Sequence, residues 1–177
     1  LAATIDEAHS ARRKVIAHDL SNAGVQIALK LGVDGFAHGA IVDSVVAVDM
    51  ARRGAFMIPT LASLAPSSSP AETKLRESVA RAHRLGVRMV FGTDAGVIPH
   101  GSNAQEFAAL VGAGLSPLEA IRAATINAAE ALGIGSEAGT IETGRVADII
   151  AVTGDPLMDV RLLERVQFVM KAGQVVR

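Results

Sequence analysis

Three residues of this sequence have the types and spacing of a hydrolytic metal site: His18, His38 and Asp94. Each follows a short apolar run that is typical of a buried strand, and each run leads through a turn into a helical stretch. If these runs are parallel strands of one sheet, their carboxyl ends lie at the edge where α/β proteins place their chemistry. Two imidazoles and a carboxylate can hold a divalent metal that activates water, so the pattern predicts a hydrolytic metal site.

Each candidate residue also has an ordinary structural interpretation. A single histidine at the end of a strand can bond to a nearby backbone carbonyl, and Asp94 in its glycine-rich turn could cap the following segment. His100 lies in the glycine-bearing loop after Asp94 and is either a substrate contact or a solvated loop residue. Two histidines 20 residues apart, both at the ends of apolar runs, favour the metal site over the separate structural roles.

The composition excludes several kinds of site and partner. The chain has 177 residues and no cysteine, so disulfides and thiolate zinc sites are excluded. A formal net charge of −1 gives no reason to expect a nucleic-acid partner. No apolar run approaches the roughly 18 residues that a membrane helix needs, and no signal peptide is visible, so a cytoplasmic protein is the expectation.

The order of elements predicts an α/β fold followed by a small β region. Half of the residues are hydrophobic and only 3% are aromatic, which favours a helix-covered parallel sheet with an aliphatic core. Strands are predicted over 15–17, 35–37, 55–58 and 87–91 in the first part, and over 147–152 and 166–170 in the second. Helices are predicted over 5–13, 23–31, 43–53, 71–85, 103–112, 117–125 and 128–132. A hairpin turn is predicted at 171–174, and 61–70 is predicted to be a flexible loop at the edge of the three candidate residues.

Four stretches carry a resemblance to a known family: KVIAHDLSNAGVQIALKLGVDGFAHG (14–39), VFGTDAG (90–96), GAGLSPLEAIRAATINAAEALGI (112–134) and GTIETGRVADIIAVTGDPLMDVRLLERVQFVMKAGQVV (139–176). In this order they resemble the amidohydrolase superfamily, and within it the imidazolonepropionase-like and Xaa-Pro dipeptidase-like (prolidase) metal-dependent hydrolases. The resemblance covers nearly the whole chain, and its last two stretches are long and characteristic.

The resemblance implies a (β/α)8 barrel of the TIM type with a small β-sandwich domain. Residues 1–134 would supply strands 5 to 8 of the barrel with their helices, and residues 135–177 would supply the last strands of the sandwich. His18 and His38 match two histidines that hold one metal, and Asp94 matches the carboxylate that binds the other metal and takes a proton from water. A complete site also has a His-x-His pair and usually a carboxylated lysine, and this sequence contains no His-x-His pair.

The function implied by the resemblance is hydrolysis of C–N amide bonds in a dipeptide, an N-acyl amino acid or a cyclic amide. The expected cofactor is a divalent metal, zinc, with one or two ions in the complete enzyme. Leu20 and Ala37 stand where many relatives have a second histidine and a glutamate, so the prolidase specificity is not carried over.

The alternative is a catalytically incomplete half-barrel with a structural or assembly role. Because the chain opens with Leu1 rather than Met, we expect it to be part of a longer enzyme. Its expected partners are a small amide or peptide substrate and either the missing N-terminal half or a second copy of this chain.

Overall fold

A computed structural model describes residues 1–38, 41–64 and 69–177 of the chain. Helices α1 to α7 cover Ala2–Ser10, Asn22–Lys30, Ser44–Arg53, Pro70–Arg84, Gln105–Gly112, Pro117–Ala124 and Ile126–Leu132. Strands β1 to β7 cover Ile16–His18, Gly35–Ala37, Phe56–Ile58, Arg88–Met89, Ile149–Ala151, Phe168–Lys171 and Gln174–Val175. Short 3-10 helices cover Leu61–Ser63 and Val160–Glu164. Strands and helices alternate up to β4, which confirms the predicted α/β fold.

The first four strands form a parallel sheet in the order of the sequence. Ile16, Gly35, Phe56 and Arg88 are neighbours across the four strands, so the strands run in register. Because all four strands point the same way, their carboxyl ends lie at one edge of the sheet. This edge carries the candidate site.

Apolar side chains cover both faces of the sheet. Phe36 and Met57 are fully buried in the main core, together with apolar residues of α2, α3 and α4. Successive residues of a strand point to opposite faces, and Phe56 accordingly packs with Val90 and with Ala131 of α7 in a second, smaller cluster. A parallel sheet buried on both faces is the arrangement that the aliphatic composition favours.

Side-chain caps explain where several helices begin. Ser21, Asp43, Ser69 and Ser116 each accept a hydrogen bond from the backbone N–H three residues later, at the starts of α2, α3, α4 and α6. Gly54 ends α3 in the left-handed conformation, with φ of 71°. The side-chain caps and the closing glycine thus satisfy backbone groups at these helix ends and fix their positions.

Helix α1 differs from the predicted range of 5–13, because it ends at Ser10. Arg12 adopts a φ of 55°, and the N–H of Arg13 donates back to the carbonyl of Ala8. The left-handed Arg12 and the hydrogen bond from Arg13 to Ala8 end the helix before Arg12 and Arg13. Arg12 and Arg13, which the predicted range included, therefore lie beyond the end of the helix, and the observed helix has the predicted length but lies three residues earlier.

We expect replacement of Gly35 by alanine to destabilise the fold by about 1–3 kcal/mol. A Cβ atom at Gly35 would overlap the ring of Phe56, its neighbour on β3, and that ring is buried and has little room to move. The matched control is Gly112→Ala at the end of α5, where a Cβ meets nothing within 4 Å. The control should raise stability by up to about 1 kcal/mol, since alanine is the better helix former. Urea unfolding of both variants measures the difference, and equal midpoints would contradict it.

The last three strands form a separate antiparallel sheet in the order β5-β6-β7. The strands predicted over 147–152 and 166–170 pair in this sheet, as expected, although each is shorter or shifted by a few residues. Ala172 and Gly173 have φ of 49° and 79° and form the two-residue turn between β6 and β7. Left-handed residues at both turn positions give a backbone twist that matches the right-handed twist of the two strands. The hairpin turn predicted at 171–174 is confirmed.

In the parts of the chain that the structure describes, no helix has the length and apolar character needed to cross a membrane.

Candidate active site

His18, His38 and Asp94 lie together at the carboxyl edge of the parallel sheet. His18 is the last residue of β1 and His38 directly follows β2, so the parallel register brings their side chains side by side. The centroids of the two imidazole rings are 4.4 Å apart, and the ring planes meet at 69°. His38 Nδ1 lies 4.0 Å from Asp94 Oδ2. The three residues that the sequence singled out are therefore neighbours in space.

Thr60 holds the His38 ring. Its hydroxyl oxygen lies 3.0 Å from His38 Nδ1, within hydrogen-bonding distance, and Thr60 itself is only 5% exposed. The backbone N–H of His38 also donates to the carbonyl of Ile58 at 2.8 Å. With Nδ1 facing the threonine, Nε2 is the ring nitrogen that remains for a ligand or a metal. Two contacts thus orient this imidazole.

Strained backbone is concentrated at this edge. His38, Thr60 and Asp94 have φ of 73°, 50° and 53°, although none is glycine. A positive φ is uncommon for such residues, and for a β-branched threonine it is an outlier. Strain of this kind persists only where the surrounding contacts hold it, and it clusters at functional sites. The conformations therefore agree with a functional role for this edge.

Asp94 lies in a turn that leaves its carboxylate accessible. Its side chain is 44% exposed, while its carbonyl accepts the N–H of Val97 and so closes the turn. The preceding residue, Thr93, is buried, and its hydroxyl accepts a hydrogen bond from the side chain of Asn103 at 2.9 Å. A carboxylate that is fixed at its backbone but open to solvent can exchange protons with a substrate.

Glu106 is a fully buried carboxylate at the start of α5. Its two oxygens accept the backbone N–H groups of Leu61 and Ala62, at 3.0 and 2.5 Å, directly after Thr60. Burial raises the pKa of Glu106 to about 7, against the lowering effect of those two N–H groups and of Arg76 on α4. The acid therefore supports the segment that carries the partner of His38.

The Amidohydrolase family profile matches residues 1–176 of the chain. The chain belongs to the amidohydrolase family. Ochratoxinase from Aspergillus niger is 31% identical over 193 residues, which cover 97% of this chain and 39% of that protein. Imidazolonepropionase from Symbiobacterium thermophilum is 32% identical over 147 residues, which cover 79% of this chain and 33% of that protein.

Solved amidohydrolase structures share the fold of this chain. A Xaa-Pro dipeptidase crystallised with methionine in its active site superposes with a TM-score of 0.92 at 31% identity. That alignment covers 99% of this chain and 48% of the dipeptidase. The present amidohydrolase chain thus spans about half or less of the length of these relatives.

The side chains at the carboxyl edge of the parallel sheet offer donor atoms of the types that coordinate divalent metals. His18 and His38 offer ring nitrogens and Asp94 offers carboxylate oxygens, and imidazole rings this close can share one ion through bonds of about 2.0–2.1 Å. Within residues 1–38, 41–64 and 69–177, no group of three or more His, Asp or Glu side chains is arranged to hold a metal ion, and this includes His18, His38 and Asp94. In this amidohydrolase chain the donors therefore fit part of a metal site, which further ligands would complete.

Sequence reasoning missed the residues that support the site. Thr60 has a signal in the sequence, because it follows the third predicted strand, between the strands that lead to His38 and Asp94. Glu106 is a carboxylate on the buried face of α5. Leu110, one helical turn later, lies on the same face. A buried acid needs hydrogen-bond donors nearby. An acidic residue at an apolar position of the helix pattern is therefore the sequence feature that could have identified Glu106.

The other predicted site features have less support. His100 is exposed on the loop after Asp94, and among the described residues no hydrogen bond or ring contact joins it to His18, His38 or Asp94. Its substrate contact therefore stays a prediction. The loop predicted at 61–70 begins with a 3-10 helix and ends in the first turn of α4, while residues 65–68 lie outside the described residues.

Proposed function

We propose that this chain is part of a metal-dependent hydrolase of C–N amide bonds. The convergence of His18, His38 and Asp94 at the carboxyl edge of the parallel sheet carries the proposal. In it, the two histidines hold a divalent metal, with zinc expected, and Asp94 is both a metal ligand and the catalytic base. The amidohydrolase membership and the Xaa-Pro dipeptidase and ochratoxinase relatives support hydrolysis of a dipeptide, an N-acyl amino acid or a cyclic amide.

Each residue has a distinct task in the proposed reaction. A divalent metal, when bound, supplies Lewis acidity that polarises the substrate carbonyl and lowers the pKa of water. Asp94 accepts the proton of the water that attacks the amide carbon, and it then donates this proton to the amine that leaves. Thr60 keeps the His38 ring oriented through Nδ1, which leaves Nε2 as the nitrogen that would hold the metal. His100, on the loop after Asp94, contacts the substrate.

The active unit that we propose is larger than this chain. Residues 1–134 contribute the second half of a (β/α)8 barrel, and residues 135–177 contribute strands to a small β-sandwich. The parallel sheet ends in two edge strands, β1 and β4, and Ile16 on β1 is 46% exposed. Unpaired edges with exposed apolar residues invite pairing with further strands. The partner is therefore either an N-terminal half or a second copy of this chain.

Zinc titration tests the proposal. We expect weak or no zinc binding by the 177-residue chain alone in calorimetry, because the described residues contain only part of a ligand set. A protein extended by the coding sequence upstream of Leu1, with a His-x-His pair, should bind zinc and hydrolyse Xaa-Pro dipeptides or N-acyl amino acids. His38→Ala should remove both properties from the extended protein.

Two outcomes would contradict the proposal. Tight 1:1 zinc binding by the chain alone, abolished by His18→Ala, would favour a self-sufficient half-barrel that pairs with its own copy. An extended protein that binds zinc but leaves every amide of the panel intact would exclude amide hydrolysis as the function.

A further inference from the structure

The buried Glu106 carboxylate connects α5 to the active-site edge. Its two oxygens are used by two consecutive backbone N–H groups, those of Leu61 and Ala62. These residues begin the 3-10 helix that directly follows Thr60. In sequence, the acid lies 45 and 44 residues from its two donors, so the bonds tie two distant segments together.

Thr60 needs an external support of this kind. Its φ of 50° and ψ of 40° are left-handed, a strained conformation for a β-branched residue. Its carbonyl accepts both the N–H and the hydroxyl of Ser63, which closes the turn on one side. The N–H groups of Leu61 and Ala62, the two residues after Thr60, donate to Glu106 and complete the hydrogen bonds that fix the turn.

The residues that lead into α5 support the Asp94 loop in a similar way. Asn103, three residues before Glu106, donates its side-chain amide to the hydroxyl of Thr93 at 2.9 Å. Thr93 is buried and directly precedes Asp94. The start of α5 and the residues just before it therefore contact both loops that flank His38: the one with Thr60 and the one with Asp94.

We propose that Glu106 is a positioning residue, which holds Thr60 in the backbone conformation that keeps its hydroxyl on His38. The significance of this role rests on the proposed function, because it makes Glu106 responsible for the orientation of a metal ligand. Glutamine is the informative replacement: it has nearly the same shape but only one acceptor oxygen, and its NH2 group opposes one of the two N–H donors.

Nitrogen-15 spectra of the histidine rings test the positioning role in the 177-residue chain. Thr60→Val removes the hydroxyl at Nδ1, so the His38 Nδ1 signal should move away from its wild-type position, whereas Thr60→Ser should leave it in place. We expect Glu106→Gln to move the same signal in the same direction by at least half as much. His9, an exposed residue bonded to Asp34, should keep its signal in every variant.

The matched control is Glu119→Gln on α6. Glu119 also accepts hydrogen bonds near a helix start, from the N–H and hydroxyl of Ser116, but among the described residues no hydrogen bond or ion pair joins it to Thr60. This control should leave the His38 signal unchanged. If Glu106→Gln does not fold, Glu106→Asp replaces it, since its shorter stem cannot reach both N–H groups and should give the same shift.

An unmoved His38 signal in a folded Glu106 variant, alongside a moved signal in Thr60→Val, overturns the positioning role. The spectra require neither metal nor substrate. A failure of the hydrolase proposal would therefore leave this result standing, and an unmoved signal would count against Glu106 whatever the reaction.

Discussion

Replacing Asp94 by asparagine is expected to lower kcat/KM of the extended, metal-loaded protein by about 10²- to 10⁴-fold, the usual contribution of a general base. Asparagine keeps the size of the side chain but cannot accept the proton of the attacking water. The exposed carboxylate, 4.0 Å from His38 Nδ1, is the group that we expect to exchange this proton. Steady-state kinetics on an Xaa-Pro dipeptide, with the zinc content of each preparation, measure the effect.

Asp43→Asn is the matched control for this prediction. Asp43 caps α3, the helix after β2, and asparagine caps helices as well as aspartate does, so activity should stay close to wild type. Zinc content separates the two proposed tasks of Asp94: a variant with full zinc and low activity has lost a base, and one without zinc has lost a ligand. Activity within a few fold of wild type for Asp94→Asn would remove Asp94 from the mechanism.

Glu106 should make the stability of this fold depend on pH. Burial raises its pKa from an ordinary value of 4.5 to about 7, so between these values the folded chain binds a proton that the unfolded chain has released. The free energy of unfolding should therefore fall as pH rises from about 4.5 to about 7, and should level off above that range. At 1.36 kcal/mol per unit of pKa shift, the free energy of unfolding falls by about 3 kcal/mol between pH 4.5 and pH 7.

Comparison with Glu106→Gln isolates this effect. Glutamine does not titrate, and every other ionisable group is present in both proteins, so the difference between the two proteins reports mainly on Glu106. The variant should start less stable at pH 4.5, because a buried N–H loses its acceptor at a cost of about 1–3 kcal/mol. It should then lose less stability than the wild type as pH rises. The free energies of unfolding of the two proteins are measured by urea at each pH from 4 to 8. If their difference stays the same across this range, Glu106 has its ordinary pKa.

Local sequence signals predicted most of the fold. The alternation of apolar runs with helical stretches gave the parallel sheet and its order, because short βα units place consecutive strands side by side. The predicted starts of α2 and α3, at residues 23 and 43, differ by one residue from the observed starts, Asn22 and Ser44, because a side-chain cap acts within three residues of itself. The end of α1 was predicted wrongly, because the left-handed Arg12 is stabilised by a backbone bond between Arg13 and Ala8 that composition does not reveal.

The sequence by itself determined the edge of the sheet at which His18, His38 and Asp94 meet, because they lie at the end of β1, directly after β2 and in the loop after β4, and parallel strands share one carboxyl edge. Only the tertiary structure decided which groups orient them. Thr60 reaches His38 across 22 residues of sequence, and Glu106 reaches the segment after Thr60 across 44 and 45 residues. The raised pKa of Glu106 has the same origin, since it depends on desolvation by residues from several elements, which is established only when those elements pack together.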